Sequence, residues 1–235
     1  MTLSTGWKDT MKAGLTDKRW DEYDELIKTQ VADYAKRFKA LENKVDWKII
    51  KAMVWTESGG ITSAQWKARA MQIGNSGDPA LAVLKEAQEG SDLVMSTEFK
   101  LALKTESIEK PSLNIKAGMA YLYTKMVKTL FQSVLDTKDS KTYDYTVVAG
   151  DSLDKISKKV GTTIDELRAS NPGKTSIIRA GQILKYRKAA IIRVITGWRE
   201  FTIETIADAY NGGGDSAYAE KLTYITTELF PKLVR

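Results

Sequence analysis

Two rhythms of apolar and polar positions run along this chain, a helical one at both ends and a strand-and-helix pattern between them. Over residues 20–41, Tyr23, Leu26, Ile27, Val31, Tyr34 and Phe38 recur at three- and four-residue steps, which predicts an amphipathic helix. Asp46 can cap a second helix, its carboxylate accepting from a free amide of the first turn. The inner face of that helix is Ile49, Ile50, Met53 and Val54, with Glu57 in the same register, and Gly59-Gly60 ends it. Pro111-Ser112 opens a third helix, and Ile115, Met119, Leu122, Met126 and Leu130 extend its period as far as Leu130.

The texture changes at Lys138-Asp139-Ser140-Lys141-Thr142, a polar run suited to a linker. Tyr145 to Val148 then reads as a short strand. Asp151-Ser152 caps a helix with Leu153, Ile156 and Val160 on one face, and Thr163 with Glu166 has capping-box spacing for another through Leu167. Asn171-Pro172-Gly173 is a turn, and Ile183 to Tyr186 a second strand. Helical spacing is expected to resume with Ile191 to Ile195, Ile203, Ile206 and Tyr210. Gly212-Gly213-Gly214 interrupts it, and Leu222, Ile225 and Leu229 mark a last helix. The predicted fold is mainly α, with a small βααβ unit at 142–187 inserted between helical stretches at 1–141 and 188–235. The roughly 50 residues after Arg187 are too few to bury a core alone, so the two helical stretches are expected to form one domain.

Composition narrows the chemistry. The 235 residues include neither cysteine nor histidine, which removes disulfides, thiol nucleophiles, imidazole bases and His/Cys metal sites together. Any reaction must then run on carboxylates, lysine, tyrosine or hydroxyls, and no metal or cofactor is expected. The net charge of +6 favours an anionic partner, without choosing between wall polymers and nucleic acid. No apolar run approaches the roughly 20 residues of a membrane span. Met1 to Gly14 lacks the order of a signal peptide, so an extracytoplasmic role implies delivery by another route or a sequence that is a fragment of a longer chain.

Four segments, taken in order, resemble the soluble lytic transglycosylase and goose-type lysozyme superfamily. They are Glu57-Ser58 at the end of an apolar helix, Ala70-Met71-Gln72-Ile73-Gly74, Asn114-Ile115 with Gly118 and Tyr121-Leu122, and Ala209-Tyr210-Asn211-Gly212-Gly213. The inserted unit is similar to LysM, a module that binds N-acetylglucosamine-containing glycans. The match runs through 145–153, Ile156, Leu167, Asn171-Pro172 and 180–184. Here the LysM-like unit falls between the third and fourth catalytic segments, which requires its two ends to lie close together. The resemblances cover most of the chain after about residue 44. The combination is similar to the lysozyme-like domains of type VI secretion antibacterial effectors and, less closely, to phage endolysins.

The resemblance implies a lysozyme-like fold that cleaves the MurNAc-β-1,4-GlcNAc bond of peptidoglycan, without a metal. Such cleavage needs a carboxyl that stays protonated near neutral pH. Glu57 suits it: the apolar face of its helix desolvates the carboxyl, and the helix C-terminus disfavours its ionisation. Lytic transglycosylases use one Glu as acid and then base and release a 1,6-anhydro product, whereas a hydrolase needs a second carboxylate. Asp78 is the candidate for that, although before Pro79 it is more simply an Asx turn. Asp208 and Asp215 flank the fourth segment as plausible surface charges. Ser58 either orients substrate or acid, or caps the helix. Met71, Gln72 and Ile73 would line the cleft, with the Gln72 amide bonding a sugar and the other two equally able to be core. Tyr121 either reaches the cleft or packs in the core. Tyr210 and Asn211 offer a ring face and an amide to a sugar.

In the LysM-like unit, Gly150, Asp151, Ser152 and Leu153, together with Asn171, Pro172 and Ile177 or Ile178, would build the glycan groove. Implied partners are peptidoglycan strands and an immunity protein at the cleft, for a monomer delivered into the periplasm or wall by a secretion machine or phage lysis. Two other classes compete. One is a non-catalytic wall-binding protein on the same scaffold. The other is a nucleic-acid binder, against which the lysines are scattered and interleaved with acids as on solvated helix faces.

Overall fold

The computed structural model describes residues 3–233 and divides into two compact units, one running to Lys128 and resuming at Thr196, the other Thr129–Ile195. In chain order the first unit contributes α1 (Thr5–Lys12), α2 (Asp24–Arg37), α3 (Trp47–Ser58), α4 (Ala80–Lys85), α5 (Ser91–Val94), α6 (Thr97–Thr105) and α7 (Pro111–Met126). Then come β1 (Val127–Leu135), β2 (Thr142–Thr146), α8 (Leu153–Val160), α9 (Ile164–Ser170), β3 (Ile183–Arg187) and β4 (Ala189–Trp198). The first unit closes with α10 (Ile203–Asn211) and α11 (Tyr218–Thr223), which continues as a π-helical stretch over Tyr224–Leu229. The protein is mainly α. Among the described residues no helix is long and apolar enough to cross a membrane.

The helices form where the caps allow. The Asp46 carboxylate accepts from the Lys48 amide to start α3, and Gly59, at φ +71°, ends it in the left-handed conformation that glycine adopts freely. Pro111 occupies the first turn of α7, where its missing N–H costs nothing. Helix α7 is buried on nearly every side, from Leu113 through Met126, as expected for the central helix of a bundle. It packs against α2, α4, α5 and α10, while α3 packs against α2 and α11. Close approach sets one residue in α7: a Cβ on Gly118 would stand 2.6 Å from the Met71 Cβ, so only glycine lets the 70–74 segment lie against this helix.

Helix α3 is tied to the start of α2 and the turn before it by charge. Lys51 is buried, with its ammonium 2.6 Å from Asp21 and 2.8 Å from Asp24, and the rings of Trp47, Trp55 and Phe230 around it. Both carboxylates keep some solvent contact, so the desolvation cost is shared with water and the pair can be net stabilising.

The second unit has its own small core of Val147, Ile156, Val160, Leu167 and Leu184. Strands β2 and β3 pair antiparallel with Tyr145 opposite Leu184 and Tyr143 opposite Tyr186. Ser152 caps α8 and Thr163 caps α9 through their hydroxyls, as their spacing predicts.

Two expectations are corrected. Helix α7 stops at Met126 rather than reaching Leu130, and Ile191 to Ile195 is strand rather than helix. These stretches form β1 and β4, which pair with one another. Helical spacing of apolar residues persists into β1 by coincidence. The partner strand lies some sixty residues away, and no local pattern reports such a pairing.

Candidate active site

Glu57 lies in the last turn of α3, where the backbone carbonyls have no partner within the helix. One of those carbonyls, its own, accepts from the Gln72 side-chain amide at 2.5 Å. Gln72 reaches it from a left-handed backbone, φ +56°, an uncommon conformation for a side-chain-bearing residue that the surrounding bonds sustain. Its amide oxygen accepts from Asn75 at 3.1 Å, and its backbone N–H donates to the Arg69 carbonyl at 2.8 Å.

The 71–73 segment is held from behind by Asn114, fully buried in α7. The Asn114 oxygen accepts from the Met71 amide at 2.9 Å, while its amide donates to the carbonyls of Ile73 at 2.9 Å and Ile108 at 3.1 Å. Tyr210 of α10 donates its hydroxyl to the Met71 carbonyl at 2.8 Å. Both backbone faces of Met71 are thereby fixed, one by the third sequence segment and one by the fourth. Tyr121 meets the Tyr210 ring edge-on, centroids 5.8 Å apart.

Together these elements enclose a cleft of about 210 Å³ lined by Glu57, Met71, Gln72, Ile73, Asn75, Asp78, Ala80, Tyr121, Tyr210 and Asn211. The Glu57 carboxyl is pushed up to about 7. Burial is the largest cause; the charges of Asp215 and Asp78 add to it, while the Tyr218 hydroxyl and Lys221 oppose it. The Tyr218 hydroxyl is itself buried and has no partner of full hydrogen-bond geometry, so it faces the carboxyl as an uncommitted donor. Burial acts to raise Asp215 too, but Lys221 at 2.7 Å and the Ala217 amide outweigh it and hold that group below its ordinary value.

The residues expected at the site land in different places. Met71, Gln72, Asp78, Tyr121, Tyr210 and Asn211 share the cleft with Glu57. Ser58 does not: it is buried, its hydroxyl donating to the Val54 carbonyl at 2.6 Å and accepting from Gly60 at 3.1 Å, so of its two readings the helix cap is the one seen. The Gln72 amide is spent on Glu57 and Asn75 rather than presented to a sugar. The Asn211 amide closes its own loop through the Asp215 backbone, both bonds at 3.1 Å. Asp78 uses one oxygen on the Gly74 amide and the other on the Ala80 amide, the Asx arrangement, while still facing the cleft. Asp208 pairs with Arg199 at the surface. Asn75 and Tyr218 were not singled out from the sequence. Tyr218 opens α11 eight residues after Tyr210, and an aromatic at that point is indistinguishable from core packing without the fold.

Tyr218→Phe tests the electrostatic account. Removing the hydroxyl removes a group that favours the ionised carboxyl, so the Glu57 pKa should rise by several tenths of a unit or more, on the order of one hydrogen bond's influence. A pH titration of Glu57 by carboxyl-labelled NMR should show that upward shift; an unchanged or lowered midpoint would remove Tyr218 from the account.

In the second unit, Gly150 takes φ +84° and Asp151 accepts from the Tyr145 hydroxyl and the Val148 amide, both at 2.9 Å. Ser152 caps α8, with Leu153 against the small core. The Asn171 side chain is buried and bonds the Leu167 carbonyl and both backbone groups of Lys185, which fixes the start of the 171–178 segment. Pro172 is exposed. Of the two isoleucines, Ile178 packs on the core and Ile177 is 71% exposed.

The LysM domain family matches residues 145–186, the stretch that carries the end of β2, both short helices and most of β3. That segment is a LysM domain. Over 43 residues the chain is 54% identical to the probable peptidoglycan endopeptidase LytE of Bacillus subtilis (strain 168). The aligned part is 18% of this chain and spans 13% of that relative's length. No solved structure matches. The LysM domain and this relative support an association of the protein with peptidoglycan.

Proposed function

We propose that the protein is a peptidoglycan glycosidase of the lysozyme-like, lytic-transglycosylase type, in which the LysM domain holds the wall and Glu57 cleaves the MurNAc-β-1,4-GlcNAc bond. The observation that carries this reading is Glu57 itself: a carboxyl raised to about 7, lining a cleft with the aromatic rings of Tyr121 and Tyr210. Near neutral pH a substantial fraction of such a group is protonated and can act as an acid, which an ordinary carboxyl cannot. On this reading the two stretches flanking the LysM domain, 1–141 and 188–235, form one catalytic domain around it.

The protonated Glu57 gives its proton to the glycosidic oxygen as the bond from the muramic C1 breaks. The leaving N-acetylglucosamine departs with a free 4-hydroxyl, and an oxocarbenium-like centre remains at C1. The Glu57 carboxylate then takes the proton from the muramic 6-hydroxyl as that oxygen bonds to C1. This closes the 1,6-anhydro ring and restores the acid. A single carboxylate suffices for the cycle. What favours it over hydrolysis is the occupation of the other acids: both Asp78 oxygens accept backbone amides, and Asp215 is committed to Lys221 and Ala217.

The test is mass spectrometry of muropeptides released from purified peptidoglycan. Products ending in 1,6-anhydro-muramic acid are expected; a reducing muramic acid would replace the intramolecular step with water and require a base. No soluble glycan product would leave a LysM-anchored wall-binding protein. The biological role proposed is antibacterial, as a monomer delivered to the periplasm or wall and restrained by an immunity protein at the cleft.

A further inference from the structure

A second cavity of the helical unit, lined by none of the residues that line the Glu57 cleft, has the opposite character. Its volume is about 200 Å³. Its floor is Leu84 of α4, Met95 after α5 and Leu103 of α6, all buried. Its mouth carries Lys85, Lys100 and Lys104, with Asp92 as the one acid among the lining residues. None of the three ammonium groups has a hydrogen bond or ion pair among the described residues. Lys100 and Lys104 stand one helical turn apart on α6, and Leu101 beside them is 61% exposed.

An apolar interior behind uncommitted cations is complementary to one class of ligand. We propose that this cavity binds a monomeric anionic amphiphile, an alkyl chain ending in a phosphate or carboxylate. The chain enters between Leu84, Met95 and Leu103, and the head group pairs with the lysines. Both parts are needed. The floor offers a purely hydrophobic gain per carbon, and exposed lysines alone bind any anion only weakly. Taking roughly 30 Å³ per carbon, the share one water molecule has in its liquid, the cavity holds a chain of about seven carbons. The proposal is independent of the reaction assigned to Glu57.

Isothermal titration with alkyl phosphates below their micelle concentrations tests it. Affinity is expected to rise about fourfold for each added methylene from butyl to about heptyl phosphate, then to level off at decyl phosphate as the cavity fills. Inorganic phosphate and a neutral decyl maltoside should each bind at least tenfold more weakly than decyl phosphate. Lys85→Glu with Lys104→Glu, both exposed positions, should weaken decyl phosphate at least tenfold while leaving the circular dichroism spectrum and thermal midpoint in place. Affinity independent of chain length would overturn the cavity. Unchanged affinity in the charge-reversed variant would overturn the lysines. Binding confined to phosphatidylglycerol-containing vesicles, with no uptake of monomers, would replace the site with diffuse surface attraction.

Discussion

Glu57→Gln is expected to abolish the release of muropeptides while making the protein more stable above neutral pH. The first half follows from the double use of one residue. A positioned acid or base contributes roughly 10²–10⁴-fold each, so removing the group that serves as both should lower the rate at least about a thousandfold. Activity of the unmutated protein should in turn fall as pH rises through about 7, where the acid form disappears. The second half follows from proton linkage. In the unfolded chain this carboxyl titrates near 4.5, and in the folded protein at about 7. Between those values the folded state holds a proton that the unfolded state has released, so stability decreases with rising pH across this window. Relative to a neutral side chain, the folded protein has its full stability below about 4.5 and has lost it above 7, a difference of at most about 3 kcal/mol. Glutamine is never charged and avoids that loss. Urea unfolding of both proteins at pH 4 and pH 8 should show the variant gaining at pH 8 and matching at pH 4. Equal destabilisation at both values would show that the carboxyl is packed for structure and not held in its acid form.

The second large effect is expected at Asn114. Its side chain makes three backbone bonds, two to the distant 71–73 segment and one to nearby Ile108, and it is fully buried. Asn114→Leu keeps the branching, adds some bulk, and leaves the Met71 amide and the carbonyls of Ile73 and Ile108 without that partner. At roughly 1–3 kcal/mol for each stranded group, with some relief from relaxation and water, a loss of about 3–5 kcal/mol is expected in urea unfolding. The same change releases the backbone of Met71 and Gln72, so activity should fall even at temperatures where the variant remains folded. A loss under about 1 kcal/mol would mean that the 71–73 segment is held chiefly by Tyr210 and by its contact with Gly118.

The two halves of the chain differ in how openly they announce themselves. The LysM domain was legible almost residue by residue, because its caps, turn and strands are local: Ser152, Thr163 and the Asn171 turn each act within a few positions of themselves. The helical unit was legible as helices wherever a cap coincided with a period, as at Asp46, Gly59 and Pro111. The stretches 127–135 and 189–198, most of which belong to the second unit, were misread because strand pairing overrode a period that still looked helical. Among site residues, chemical type was readable and employment was not. Gln72, Asn211 and Ser58 all carry groups suited to a sugar, yet Ser58 and Asn211 spend them on backbone two to four residues away and Gln72 on the Glu57 carbonyl and the Asn75 side chain, commitments that residue type does not reveal. Asn171 in the LysM domain is a fourth case.

By itself, then, the sequence determined the chemistry that was possible. With neither histidine nor cysteine, any acid–base work fell to carboxylates, lysine or tyrosine, and the helical register put Glu57 on an apolar face at a helix end. Tertiary structure alone decided what Glu57 became. Its displaced pKa depends on burial and on Asp78, Asp215, Tyr218 and Lys221, residues 21 to 164 positions away along the chain. Desolvation and charge act through space over a few ångströms, and no spacing along the chain encodes which distant groups will stand that close.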